Sequence, residues 1–107
     1  REASEAASLK ALLEFSRSIT DAPSAVELES TLDEDPKQSE PRYQLAARQV
    51  LAGDYDNALR NFMLLLKQDR NYRDGAAQRG LLTVFALLDE DDERIPGYRR
   101  QMFALLH

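Results

Sequence analysis

Few side chains in this sequence could carry covalent or metal chemistry. There is no cysteine, and the one histidine is the last residue, His107. That excludes thiol catalysis, disulfides and cysteine–zinc sites. It also leaves no Cys–His or Ser–His arrangement for nucleophilic catalysis, and no glycine-rich phosphate loop occurs. The acidic run "DEDDE" at 89–93 has the charge for calcium. An EF-hand loop, however, needs alternating ligands and a glycine at its sixth position, and neither is present, so a solvated loop is expected. The other Asp/Glu pairs fall in helix caps or exposed runs. The chain is therefore expected not to be an enzyme and to use no metal or cofactor.

Binding chemistry is better represented. The sequence closes on "YRRQMFALLH" at 98–107. At helical spacing Tyr98, Met102 and Leu105 share one narrow face, enough to dock the segment on a neighbouring helix. Phe103 and Leu106 are expected well round from them, flanking Arg99, with Arg100 beside it. That apolar arc is wider than a capping helix needs. Positive charge in a first helical turn opposes the macrodipole by roughly 0.3–1 kcal/mol per exposed residue. The arginines should therefore be compensated, either by the 89–93 loop or by an acidic groove on a partner. Two readings are open, an exposed docking helix or a plain cap.

The elements that must position these residues are helical. An apolar fraction of 43% and a charged fraction of 31% suit a soluble helical domain. Helix formers dominate and Ile and Val are scarce, so strands are not expected. The runs "FMLLL" and "LLTVFALL" are too short to span a bilayer. A net charge of −5 argues against nucleic acid and anionic membrane surfaces as partners. The opening "REASEAAS" lacks an initiator Met, a charged leader and a cleavage site, and reads as the middle of a longer protein rather than a secretory precursor.

About six helices are expected. The first covers roughly 2–19, with Leu9, Leu12, Leu13 and Ile19 on its apolar side. Asp21 is expected to cap the second, with Pro23 in its first turn and Val26, Leu28 and Leu32 facing inward; it stops before Pro36. The third opens at Ser39–Pro41 and ends at Gly53, the left-handed position glycine fills without strain. Asp54 or Asp56 starts the fourth, where Ala58, Leu59, Phe62, Leu65 and Leu66 follow the i, i+3, i+4, i+7 pattern. The fifth runs from about Asp74 to Leu88 despite the interior Gly80, which costs about 1 kcal/mol against alanine. The last runs from Pro96 to the end. Short connections make neighbouring helices antiparallel.

Residues 39–72 form one 34-residue unit, the length of a tetratricopeptide repeat, and resemble that repeat closely. Leu45 and Ala46 are the Leu–small pair of its first helix, Gly53 closes the turn and Tyr55 packs between the helices. Ala58 is the small residue at the close crossing, Phe62 the second-helix aromatic. Two positions depart from the pattern: Arg42 stands where Trp is customary, and Arg70 where proline usually follows Asp69. Upstream, residues 1–38 read as a degenerate hairpin sharing the "EDP" ending; residues 73–107 read as a terminal capping hairpin. The fold class expected is thus all-α, an antiparallel solenoid of three helical hairpins forming one domain. In such a solenoid Tyr43, Ala47, Val50 and Leu51 are candidate concave-groove residues. They cannot clamp a carboxylate, so an apolar groove for an extended segment is one reading and packing against the preceding hairpin the other.

The stretch from Leu45 to Leu88, the Asp74–Gly75 pair and the terminal "YRRQMFALLH" together look like the C-terminal part of the bacterial thioredoxin-like co-chaperones, the chaperedoxin (YbbN/CnoX) type. The resemblance covers roughly residues 20–107. It implies a cytoplasmic holdase for unfolded or damaged clients that delivers them to a chaperonin, bound through the C-terminal helix. The partner-binding residues it implies are Tyr98, Arg99, Arg100, Met102, Phe103, Leu105 and Leu106. The family's thioredoxin domain lies outside this sequence, so no redox activity is implied; Met102, Phe103 and His107 are variants of the family's terminal residues. The alternative is a structural scaffold repeat with no chaperone role. If Ala58 marks the close crossing, Ala58→Leu should overpack it and lower stability by roughly 1–3 kcal/mol in a urea melt.

Overall fold

The strongest local signal, "GDY" at 53–55, is where the chain reverses between two central helices. In the computed structural model, which describes the backbone of residues 2–107 and the side chains from Glu5 onward, Gly53 has a φ of 77°. The Gly53 N–H donates to the Val50 carbonyl and the Asp54 N–H to that of Gln49. This is the paired C-terminal arrangement that needs a left-handed residue. The turn joins α3 (Ser39–Leu51) to α4 (Tyr55–Gln68), which pack against each other as the centre of the molecule.

The remaining helices are α1 (Glu2–Ser18), α2 (Ala25–Glu34), α5 (Ala76–Leu87) and α6 (Arg94–Leu106). No strand occurs among the described residues. α5 packs on α4, α2 on α3, and α6 on α4. α1 lies across α3 and α5 and touches α2 little. The first hairpin therefore does not close as the short connection predicts: α1 buries its apolar stripe on the shared α3/α5 face instead.

Inside the central hairpin the repeat pattern holds. Ala58, Phe62 and Ala46 are fully buried, and Tyr55 packs half-buried against the same core. Arg42, in the place of the customary Trp, is buried too. Its guanidinium donates to Asn61 Oδ1 at 2.8 Å and to the Pro36 carbonyl at 2.9 Å, and Asn61 donates on to Gln49 at 2.8 Å. Among the described residues no carboxylate neutralises it, and desolvation lowers its pKa. The ends of the repeat are tied by Ser39 Oγ donating to Asp69 Oδ2 at 2.6 Å.

Several local expectations are corrected. α2 is capped by Ser24, not Asp21. Ser24 Oγ accepts from the Glu27 N–H at 3.2 Å while Glu27 accepts from the Ser24 N–H, a reciprocal box that needs an acid three residues on, which Asp21 lacks. Pro23 consequently lies ahead of the cap, and Val26 points to solvent while Leu28 and Leu32 pack on Leu45. In α1 the buried anchor is Phe15, with Leu12 and Ile19 half-buried beside it; Leu9 and Leu13 are exposed. The stripe runs 12, 15, 19, and the leucines at 9 and 13 fall off it.

α5 begins later than Asp74. A short 3₁₀ turn at Tyr72–Asp74 precedes it, and Arg73, Asp74 and Gly75 all have positive φ, at 46°, 54° and 84°. Two arginines hold this left-handed run. Arg79 donates to the carbonyls of Arg73 and Asp74, and the Arg73 guanidinium lies 5.2 Å from the Tyr43 ring centroid and 5.6 Å from that of Tyr72. α6 begins earlier than Pro96, because Asp92 Oδ1 accepts from the Arg94 N–H at 2.9 Å and turns the chain two residues ahead.

Gly80 gains its reason here. A methyl group at this position would overlap the ring of Phe62, which is itself boxed in by Phe15 and Tyr43. Gly80→Ala should therefore destabilise the fold by roughly 1–3 kcal/mol through overpacking, outweighing the helix-propensity gain of about 1 kcal/mol. The sign of the shift in a urea midpoint decides between the two.

Candidate functional site

α6 is anchored on one side and free on the other. Ile95 and Met102 are buried, at 3% and 1% exposure, and Tyr98, Leu105 and Leu106 pack half-buried against the same core. Phe103 is 51% exposed and meets only the tilted ring of His107 among the aromatic groups. Arg99 and Arg100 are exposed as well. Of the sequence-derived docking candidates, then, Phe103, Arg99 and Arg100 form an outward face, and Tyr98, Met102 and Leu105 hold the helix down.

Leu106 is a correction. The sequence pattern puts it outward beside Phe103, yet it stands one turn after Met102, about 40° round the helix at 100° per residue, and shares the buried face. Ile95 escapes the sequence reading for a related reason. With the helix start placed at Pro96, the stripe 95, 98, 102, 105 loses its first member. Arg70, in sequence only a departure from a proline, donates from its guanidinium to the Leu105 carbonyl at 3.0 Å and fastens the last turn of α6 to the end of the repeat. No sequence pattern pairs residues that far apart.

The expected charge compensation goes to a different arginine. Because α6 starts at Arg94, Arg99 and Arg100 lie beyond its first turn. The acidic loop serves Arg94, which donates to Asp92 Oδ2 and to Asp56 Oδ1, each at 2.9 Å. The Asp92 carboxyl is held down to about 2, chiefly by the Arg94 side-chain hydrogen bonds and then by the Arg94 N–H; Arg94 is correspondingly raised. Among the described residues neither Arg99 nor Arg100 has a carboxylate within ion-pair distance. Arg99 sits 5.6 Å from the Phe85 ring centroid.

The candidate concave groove is not open. Tyr43, Ala47 and Val50 are buried at 0%, 0% and 3%, and Leu51 alone of the four reaches solvent. Phe15 of α1 lies against Tyr43, its ring 6.1 Å from that of Tyr43 and 5.7 Å from that of Phe62, and Ala47 and Val50 belong to the same buried cluster. Burial raises the Tyr43 hydroxyl pKa, and that hydroxyl accepts from Ser18 Oγ at 3.3 Å. The other reading of the sequence, packing against the preceding segment, describes these residues.

Among the described residues no group of three or more His, Cys, Asp or Glu side chains is placed to hold a metal ion, and no helix is long and apolar enough to cross a membrane. A family model described as "Tetratricopeptide repeat" matches residues 18–107. No curated protein matches the chain, and no solved structure does.

The Asp92–Arg94 contact makes a pH prediction. Asp92 has a folded pKa of about 2 against an ordinary 3.8, so its contribution is fully present above about pH 4 and is lost as pH falls through about 2. Asp92→Asn should accordingly flatten the acid limb of a stability–pH curve measured by urea melts. An unchanged limb would show that Asp92 titrates ordinarily.

Proposed function

The chain belongs to the tetratricopeptide repeat family and is a protein–protein interaction module, and on that premise we propose that it is the C-terminal module of a bacterial cytoplasmic co-chaperone of the chaperedoxin type. In this reading α6 docks onto a chaperonin and the module belongs to a holdase for unfolded clients. The observation that carries it is the exposed Phe103, on a helix whose opposite face is anchored by Ile95 and Met102 and whose end is fastened through Arg70. A rigid helix presenting an aromatic residue beside two exposed arginines loses little conformational entropy on docking. Phe103, Arg99 and Arg100 are assigned to the partner; Tyr98, Met102, Leu105 and Leu106 set the angle at which they are offered.

The scaffold reading, in which α6 is only a cap, has one observation in its favour, the half-buried Leu105 and Leu106. The two separate on paired measurements. Phe103→Ser should weaken chaperonin capture at least tenfold while costing about 1 kcal/mol or less, since the ring is half outside the core already. Met102→Ala should cost about 2–5 kcal/mol, as for a core methionine. Undiminished chaperonin capture by a folded Phe103→Ser variant would leave the scaffold reading standing.

A further inference from the structure

Two helices of this chain show uncovered faces of opposite charge. α2 carries Glu27, Glu29, Asp33 and Glu34 and no basic residue, whereas α6 carries Arg94, Arg99 and Arg100 and no acid. Leu28 and Leu32 hold α2 down and turn Val26 outward. At 76% exposure Val26 is the most exposed large apolar side chain among the described residues. Glu29 and Asp33 follow it by three and seven residues, within about 60° of it round the helix, and both are exposed. Among the described residues no cation lies within ion-pair distance of Glu29, Asp33 or Glu34. Asp33 and Glu34 also stand in the last turn of α2, where the helix dipole favours positive charge and no basic residue occurs.

α6 offers the complement. Arg99 and Arg100 precede the exposed Phe103 by four and three residues, again within about 60° of it. On α2 the apolar residue comes first and the charges follow; on α6 the order is reversed. The two patterns therefore match when the helices run antiparallel with Phe103 against Val26. At a rise of about 1.5 Å per residue, Arg99 then lies about 6 Å along the axis from the apolar pair and Glu29 about 4.5 Å, on the same side of the contact. Arg100 lies on the other side, about 6 Å along the axis from Asp33 near the centre line. Helix side chains lean toward their own N-terminus, so in this orientation the arginines and the acids lean toward one another.

We infer that the outer face of α6 docks on the outer face of α2 of a second copy of this chain. Each helix is fixed to its own body by the opposite face, α2 on α3 and α6 on α4, so the contact forms between copies. A contact of two short helices is smaller than a stable interface, which makes the association weak and reversible. Its charged part makes it sensitive to salt. The inference does not rest on the co-chaperone reading, although it uses the same face of α6. Where both hold, a copy engaged through α6 is masked from the chaperonin.

Sedimentation velocity on the full chain, without chaperonin, tests the inference separately from that reading. The wild type should self-associate over about 0.01–1 mM and dissociate when salt is raised to about 0.5 M. Arg99→Glu with Arg100→Glu, and Glu29→Arg with Asp33→Arg, should each weaken association tenfold or more, because each sets like charges face to face. Mixing those two double variants should restore it, since the reversed α6 of one then meets the reversed α2 of the other. Val26→Ser and Phe103→Ser should each weaken it, and Lys67→Glu, on the exposed side of α4, should not. All the positions changed are exposed, and circular dichroism checks that each variant is folded. A wild type that stays monomeric throughout the range would overturn the inference. So would association that survives the changes on α2, or double variants that remain monomeric when mixed.

Discussion

Four helices meet at one ring. Phe62 of α4 is fully buried, stacks on Phe15 of α1 at 5.7 Å and meets Tyr43 of α3 at 6.4 Å. On its remaining side it presses so closely on α5 that Gly80 admits no side chain. A glycine inside a helix costs about 1 kcal/mol in propensity. Here that cost is offset by letting α5 approach to the distance at which Ala76, Ala77, Leu81 and Val84 join the same core. Any residue larger than glycine would push α5 outward, and with it half of the face on which α1 lies. The Phe62–Gly80 contact therefore sets both the hairpin packing and the spacing of the two helices on which α1 lies.

Around this apolar centre the polar contacts have a different task, fixing where each segment begins and ends. Ser39 to Asp69 ties the start of the repeat to its finish, Arg48 pins the entry to α2, and Asp92 with Asp56 holds the start of α6 through Arg94. Arg70 holds the other end of that helix. Arg42 is the exception, a buried cation satisfied by amide and carbonyl oxygens instead of a carboxylate. Its Nε has no partner among the described residues. Such a group costs more to desolvate than an aromatic ring of similar size, and it supplies in return a bridge from the α2–α3 turn to α4.

The outer face of α6 and the α3/α5 face differ in kind. α6 is clamped at both ends and offers an exposed Phe103 from a fixed frame, so recognition there needs little reorganisation. The α3/α5 face is already filled, by a helix with one deep anchor and clefts on both flanks, and offers no comparable free aromatic residue.

Whatever depends on near neighbours is legible in the sequence. Helix number and class, the glycine turn at Gly53, the amphipathic α4 with Ala58 and Phe62 inward, and Tyr98 and Met102 facing the core all come from periodicity and turn chemistry, which act over a few residues. The apolar character of the α6 face is legible too, although its phase goes astray at Leu106 because the helix starts before the proline that marks it in sequence. Tertiary structure alone decides the rest. Whether Tyr43, Ala47 and Val50 line an open groove depends on where α1 goes, and α1 is joined to its site by contacts dozens of residues away in the chain. Whether Gly80 weakens a helix or admits a ring depends on Phe62. Whether the acidic loop neutralises Arg99 or Arg94 depends on Asp56, brought from α4 by the fold. In each case two helices distant in sequence must come within a side chain's reach, and hydrophobic pattern specifies that a face is buried but not which face of another helix buries it.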